Sequence, residues 1–406
     1  MEKIMITLAA IKQAAELIRD SVIRTPLVYS STLSSMFGAH IYLKLENLQK
    51  TGAFKIRGAS YKLLKRRGEI RSGGVVAASA GNHAQGVSLA ASQAGIPATI
   101  VMPQWASISK QEATRGYGGK VVISGQSITE CLQTARELSL NDKTFIHPFD
   151  DPDIIAGQGT IGLEIAEELP GVDMVVIPVG GGGLISGIAS AMKSIRPEAK
   201  VIGVQTSECP SAVEALRKGA VQRVHSRTSI ADGISVKEIG QITFDIIRKR
   251  VDDVVLVDED HIAAAILMLL ERKKILAEGA GAVSLAALLS ERIRVEKDSR
   301  VVLVISGGNV DSPLLERIIG KGLLKNGRIM RFDVRLDDTP GSLAALLVLI
   351  SDLKANVLHI YHDRAVKDIP IYETRVELEL ETRCRSHIDD ILQRLTASGY
   401  DVQMKG

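Results

Sequence analysis

Short apolar runs, each bounded by glycine, proline, serine or a charged residue and separated by helix-like segments, recur through most of the chain. Val75–Ala78, Ala98–Met102, Met174–Val179, Val201–Val204 and Val301–Ile305 are the clearest. A run apolar at every position needs cover on both faces, which is how parallel strands are buried in an α/β domain. Right-handed β-α-β crossovers are then expected. Ligands of such sheets sit beyond the carboxyl ends of the strands, so the residues just after each run carry the functional information.

Four loops stand out. The first, Thr51-Gly52-Ala53-Phe54-Lys55-Ile56-Arg57-Gly58-Ala59, sets a lysine among apolar and small residues. Such surroundings desolvate an amine and lower its pKa, as imine formation requires, although a lone lysine of this kind more often reaches solvent. Ser79-Ala80-Gly81-Asn82-His83 follows the Val75 run and precedes a helix. It offers backbone N–H groups to a carboxylate or phosphate, or else is an ordinary Ser/Asn cap with a packed His83. Gly180-Gly181-Gly182-Gly183-Leu184 gives up much backbone entropy, which a phosphate nest at a helix N-terminus explains better than a bare turn. Ser306-Gly307-Gly308-Asn309, after Val301–Ile305, reads alone as a glycine-rich turn.

The phosphate can be narrowed. A dinucleotide fingerprint started at Gly180 or Gly181 would need glycine where Ile185 or Ser186 stands, and the next strand ends Val204-Gln205-Thr206 without an acid for a ribose. No Gly-Lys-Ser/Thr follows the glycines, so a Walker loop is excluded. A small phosphate-bearing cofactor remains.

A chain of 406 residues exceeds one ordinary core and favours two domains. Fifty basic against 47 acidic residues give no electrostatic reason for nucleic acid or an anionic membrane as partner. Cys131, Cys209 and Cys384 form no ligand pattern, so a reducing cytoplasm and no metal are expected. Glu2 and Lys3 open only a short mixed stretch, and the apolar runs are far below the roughly 18 residues of a membrane span.

Near Lys321 to Met330 the rhythm changes, and 321–330 reads as a linker. Beyond it, Arg331–Leu336, Ser342–Lys354, Asn356–His362, Ile369–Leu380, Arg385–Ser398 and a short last strand give β-α-β-β-α-β, the ferredoxin-like arrangement.

In order and content the four loops resemble the fold-type-II pyridoxal-phosphate (PLP) enzymes, the tryptophan-synthase-β-like group, and within it the threonine and serine dehydratases. The likeness runs through roughly residues 5 to 320. It implies an α/β catalytic domain over 1–320, built of two open parallel-sheet subdomains with the smaller, about 50–155, inserted in the other. It further implies that Lys55 forms the Schiff base and Asn82 bonds the ring hydroxyl. Gly180, Gly181, Gly182, Gly183 and the N–H of Leu184 would hold the phosphate, with Ser306 at the pyridine nitrogen. Ser79, Ala80, Gly81, Asn82 and His83 would hold the substrate carboxylate. The implied reaction is β-elimination of L-threonine to 2-oxobutanoate and ammonia, and of L-serine to pyruvate, by a homodimer or homotetramer.

Some positions depart from the family pattern. Ala53 replaces a common serine, and Ala80 stands where serine racemases carry a second acid/base serine, which disfavours racemisation. Gln205 replaces the acid of cation-binding racemases, leaving Glu278 and Asp232 as uncommitted acids. The alternatives are a serine dehydratase or racemase, a cysteine-synthase-like β-replacement enzyme, and a non-catalytic amino-acid sensor. Residues 331–406 resemble an ACT regulatory domain. The turn Pro340-Gly341-Ser342-Leu343, with Asn356, is expected to take an amino-acid effector such as isoleucine or valine, unless this unit only joins subunits.

Overall fold

The computed structural model describes residues 6–364 and 369–405; Glu2 and Lys3 fall outside them. Of its two compact units, one ends at Asp311 and the other begins at Ser312.

The first unit holds two sheets. The larger has six strands in the order Leu27–Tyr29, His40–Leu45, Arg300–Ile305, Met174–Pro178, Lys200–Thr206, Asp253–Val257. All its neighbours are parallel except the first pair. The smaller is wholly parallel, in the order Gly119–Ile123, Ala98–Met102, Val75–Ala78, Thr144–Phe145. Its central strands are buried at every position, as their unbroken apolar runs require.

The chain enters the smaller sheet through the helix Lys55–Lys65 and leaves it through Pro152–Glu168. That second helix starts cleanly, because the Asp151 carboxylate accepts from the N–H groups of Asp153 and Ile154 and Pro152 takes the first turn. It packs by glycine on both sides. A Cβ on Gly157 would stand 2.6 Å from Gly58 Cα, and one on Gly187 would stand 2.4 Å from the Ile155 carbonyl oxygen. Backbone therefore meets backbone where this helix crosses both the Lys55 helix and the helix Gly183–Ile195. The two segments richest in expected chemistry are thus registered against one rigid element. A buried ion network reinforces the first of them. Arg57 pairs with Glu46 at 2.8 Å and with Glu164 at 2.6 Å, and Lys44 pairs with Glu164 at 2.7 Å. Removing any one partner would strand a buried charge, which is costly even where an intact network adds little.

The second unit begins with the helix Ser312–Lys325. The stretch 321–330 is therefore not a free linker: Lys321–Lys325 end this helix, Ile329 opens a strand, and Gly327 turns between them at φ 65°. Charged residues on an amphipathic last turn had imitated linker composition. An antiparallel sheet follows, ordered Asn356–Asp363, Glu373–Glu381, Ile329–Asp337, Val402–Lys405. Alternate residues Met330, Phe332, Val334 and Leu336 are buried with Leu346, Ile350, Ile388 and Ile391 of the helices Ser342–Asp352 and Arg385–Ala397.

Among the described residues no helix is long and apolar enough to cross a membrane, and no group of three or more His, Cys, Asp or Glu is placed to hold a metal ion.

Candidate active site

Lys55 is the first residue of its helix. The loop before it is laced to the Ser306 loop: Ala53 bridges Gly307, Phe54 N–H donates to the Ser306 carbonyl at 3.1 Å, and Gly308 N–H donates to the Gly52 carbonyl at 2.9 Å. Lys55 Nζ donates to the Pro148 carbonyl at 2.9 Å. Burial lowers its pKa to about 8, against the opposing pull of Glu278. An amine so desolvated is a free base in useful amount near neutral pH.

Helix N-termini in the first unit divide into two kinds. Thr7, Ser30, Ser127, Asp151 and Asp258 cap theirs with a side-chain oxygen. The helices starting at Lys55, Asn82, Ile108, Gly183, Ser211, Gln241 and Gly279 have no such cap from the residue before them. The N–H groups of Gly182, Gly183 and Leu184 find no acceptor among the described residues, and Gly182 sits at φ 94°, open to glycine alone at little cost. Orphan donors at a helix start, beside the positive end of its dipole, suit a phosphate. Crowding enforces the glycines: a Cβ on Gly181 would lie 2.3 Å from the Phe149 ring, and one on Gly180 would lie 3.0 Å from Ile234 Cα.

Ser79, Ala80, Gly81 and Asn82 are half-buried on the uncapped Asn82 helix start, and Ser79 Oγ accepts from Gly81 N–H at 3.1 Å. His83 does not join them. It is buried, its Nε2 lies 3.2 Å from the Ile146 carbonyl, and desolvation followed by repulsion from Lys55 pushes its pKa down to about 3. It packs as a neutral ring under the loop. Ser306 is buried, with its hydroxyl 3.4 Å from the Ala280 carbonyl.

Partners of Asn82 were invisible locally. Its amide donates to Glu278 Oε1 at 2.6 Å and accepts from Asn309 Nδ2 at 2.8 Å, which fixes its orientation and leaves one N–H unused. Glu278 is buried, and desolvation, helped by Asp232, raises its pKa to about 7. A carboxyl whose folded pKa is raised adds stability that is complete below its ordinary value and is lost as pH rises through the folded one. At about 1.4 kcal/mol per pKa unit, the wild type minus Glu278→Gln difference in cofactor-free unfolding free energy should fall by about 3 kcal/mol between pH 4.5 and 8. Urea titrations at both ends of that window measure this; a difference constant with pH would contradict it. Gln205 caps the helix Ser211–Lys218, with Oε1 accepting from Ala212 N–H at 2.9 Å and Val213 N–H at 3.3 Å. That employment accounts for an amide at this position.

In the second unit, the helix starting at Ser342 has Gly341 at φ 102° before it and no side-chain cap. Asn356 does not share that place. The register pairs Asn356 with Glu381 and Glu381 with Ile329, whereas the Pro340–Leu343 turn follows Asp337 at the other end of the same strand. The intervening helix Ser342–Asp352 separates them by its own length within one chain.

Residues 18–307 match the pyridoxal-phosphate dependent enzyme family. The chain belongs to that family. Among curated relatives, the L-threonine ammonia-lyase of Thermotoga maritima is 52% identical over 405 residues, covering 99% of this chain and all of the relative. A catabolic L-threonine dehydratase of Staphylococcus aureus is 45% identical over 323 residues, 79% of this chain and 93% of its own length. Among solved structures, a T.th. threonine deaminase shares 38% identity with a TM-score of 0.71, covering 75% of this chain and 99% of that one. Maize serine racemase shares 36% with a TM-score of 0.74, covering 79% and 99%. The catalytic unit is thus a fold-type-II, PLP-dependent enzyme, and an uncapped glycine cradle, a desolvated lysine and an oriented asparagine, joined through the 147–150 segment and Glu278, fit that cofactor.

Proposed function

We propose that this family member is a threonine ammonia-lyase that converts L-threonine to 2-oxobutanoate and ammonia, and L-serine to pyruvate more slowly. The observation that carries the reading is the likeness to the Thermotoga L-threonine ammonia-lyase over 99% of the chain, both units included. When bound, PLP supplies a sink for the electron pair left by the α-proton. Lys55 would attach it covalently, and Gly180, Gly181, Gly182, Gly183 and the Leu184 N–H would hold its phosphate. Asn82 would give its unused N–H to the ring hydroxyl.

As a free amine Lys55 would take the α-proton, and burial, which lowers its pKa to about 8, suits it to that near neutral pH. Ser306, a neutral hydroxyl, would lie at the ring nitrogen without the charge needed to keep it protonated, which favours loss of the β-hydroxyl over transamination. Ser79, Ala80, Gly81 and Asn82 would receive the substrate carboxylate at an uncapped helix start, with His83 buttressing the loop from below. Ala80, at the position where the family resemblance gives serine racemases a second acid/base serine, would supply no proton carrier there, which argues against racemisation. Specificity constants for L-threonine, L-serine and D-serine test the reading: L-threonine is expected to lead, and preference for serine or formation of D-serine would favour a serine dehydratase or racemase instead.

The catalytic domain of this proposal is the first unit, which ends at Asp311 rather than at residue 320, and works in the cytoplasm as a homodimer or homotetramer. The β-α-β-β-α-β unit is proposed to be an ACT regulatory domain taking an amino acid at Pro340, Gly341, Ser342 and Leu343, with Asn356 of the same chain out of reach. Couplings of about 1–3 kcal/mol would shift substrate affinity from several-fold to about a hundredfold. Deleting residues 326–406 should keep PLP binding and abolish any response to isoleucine or valine. A full-length enzyme whose rate is indifferent to both, with no heat of binding outside the active site, would leave this unit only a role in joining subunits.

A further inference from the structure

The segment His147-Pro148-Phe149-Asp150, between the strand Thr144–Phe145 and the helix Pro152–Glu168, touches both ends of the site. Pro148 accepts from Lys55 Nζ, and the Phe149 ring packs on Gly181 so closely that no Cβ fits. Asp150 reaches further. Its carboxylate accepts from the N–H groups of Gln241, Ile242 and Thr243 at 3.1, 3.0 and 3.1 Å, capping the helix Gln241–Arg250, which has no cap of its own. Gly240 is obligatory there, since its Cβ would meet Asp150 Oδ1 at 2.1 Å.

That cap places Thr243. Its buried hydroxyl has one proton to give, shared between the Gly181 carbonyl at 2.8 Å, the nearer acceptor, and the Gly240 carbonyl at 3.0 Å, while Gly182 lies against its Cβ. In a trans peptide the carbonyl of Gly181 and the N–H of Gly182 point in opposite directions, and the described chain has no cis bond. Tying the Gly181 oxygen to Thr243 therefore turns the Gly182 N–H away from Thr243, and that N–H has no acceptor among the described residues.

We propose that Asp150 and Thr243 are positioning residues for the phosphate loop: Asp150 sets the helix, the helix sets Thr243, and Thr243 sets the peptide plane that presents the Gly182 N–H to the cofactor phosphate. This rests on the reading of the tetraglycine loop as the phosphate site. Neither residue touches the reacting atoms.

The test is cofactor retention by holoenzyme dialysed against graded PLP, and in parallel against graded pyridoxal, which lacks the phosphate, with the 31P resonance of bound PLP recorded. Thr243→Val should weaken PLP retention by about fivefold to tenfold, because the Gly181 carbonyl then keeps only its long 3.4 Å bond from the Gly240 N–H, and shift the 31P resonance, while leaving pyridoxal affinity within about twofold. Thr243→Ser should restore both, and Asp150→Asn, which keeps the shape but weakens the cap, should fall between. Thr243→Val with unchanged PLP retention and an unmoved resonance would overturn the proposal, as would an equal loss for pyridoxal, the mark of a merely structural role. A wild type that holds pyridoxal as tightly as PLP would instead overturn the phosphate reading itself, and this proposal with it.

Discussion

Lys55→Ala should abolish conversion of L-threonine, with a loss in kcat on the order of 10⁴ or more, because one amine both attaches the cofactor and moves the α-proton. Two roles lost together are not a sum of small defects. The helix should survive, since alanine is the better helix former and the network through Arg57, Glu46 and Glu164 does not involve position 55. Circular dichroism of the variant should therefore match the wild type while its visible absorbance on PLP addition and its borohydride-trapped cofactor are lost. A variant retaining more than about a hundredth of wild-type turnover would refute the assignment.

The second large effect is expected at Gly181. A valine there must push its Cβ into the space of the Phe149 ring, where the contact would be 2.3 Å. The ring cannot swing away freely, because Pro148 and Asp150 on either side are engaged with Lys55 and with the Gln241 helix. Overpacking of this kind costs about 1–3 kcal/mol, so PLP affinity should drop by about fivefold to about 150-fold. Equilibrium dialysis against PLP measures it. A Gly181→Val protein that holds PLP as the wild type does would mean that this loop does not carry the phosphate.

How much of this was legible in the residues alone follows from where the signals lie. Unbroken apolar runs give away buried parallel strands, and the loops after Ala78, Val179 and Ile305 are conspicuous because each packs small residues between a strand and a helix. Lys55 gains meaning only beside them. What stays hidden acts across long separations: Glu278 stands in the sequence only as an uncommitted acid and meets Asn82 from 196 positions away, and Thr243 meets Gly181 from 62. No local period or spacing encodes such pairs. The His147–Asp150 segment does follow a strand, but Thr144–Phe145 is two residues long and half-buried, too short to register as an apolar run. His83 erred in the other direction, sharing a motif with Asn82 while its ring points into the core. Asn356 opens the strand after the Ser342 helix and so adjoins the far end of that helix, not the Pro340–Leu343 turn, which only the strand register reveals.

The most direct measurement of the central claim is a stoichiometric one. PLP-loaded protein incubated with L-threonine should release 2-oxobutanoate and ammonia in equal amounts, with many turnovers per subunit. L-Threonine recovered unchanged, or consumed without 2-oxobutanoate, would contradict the account.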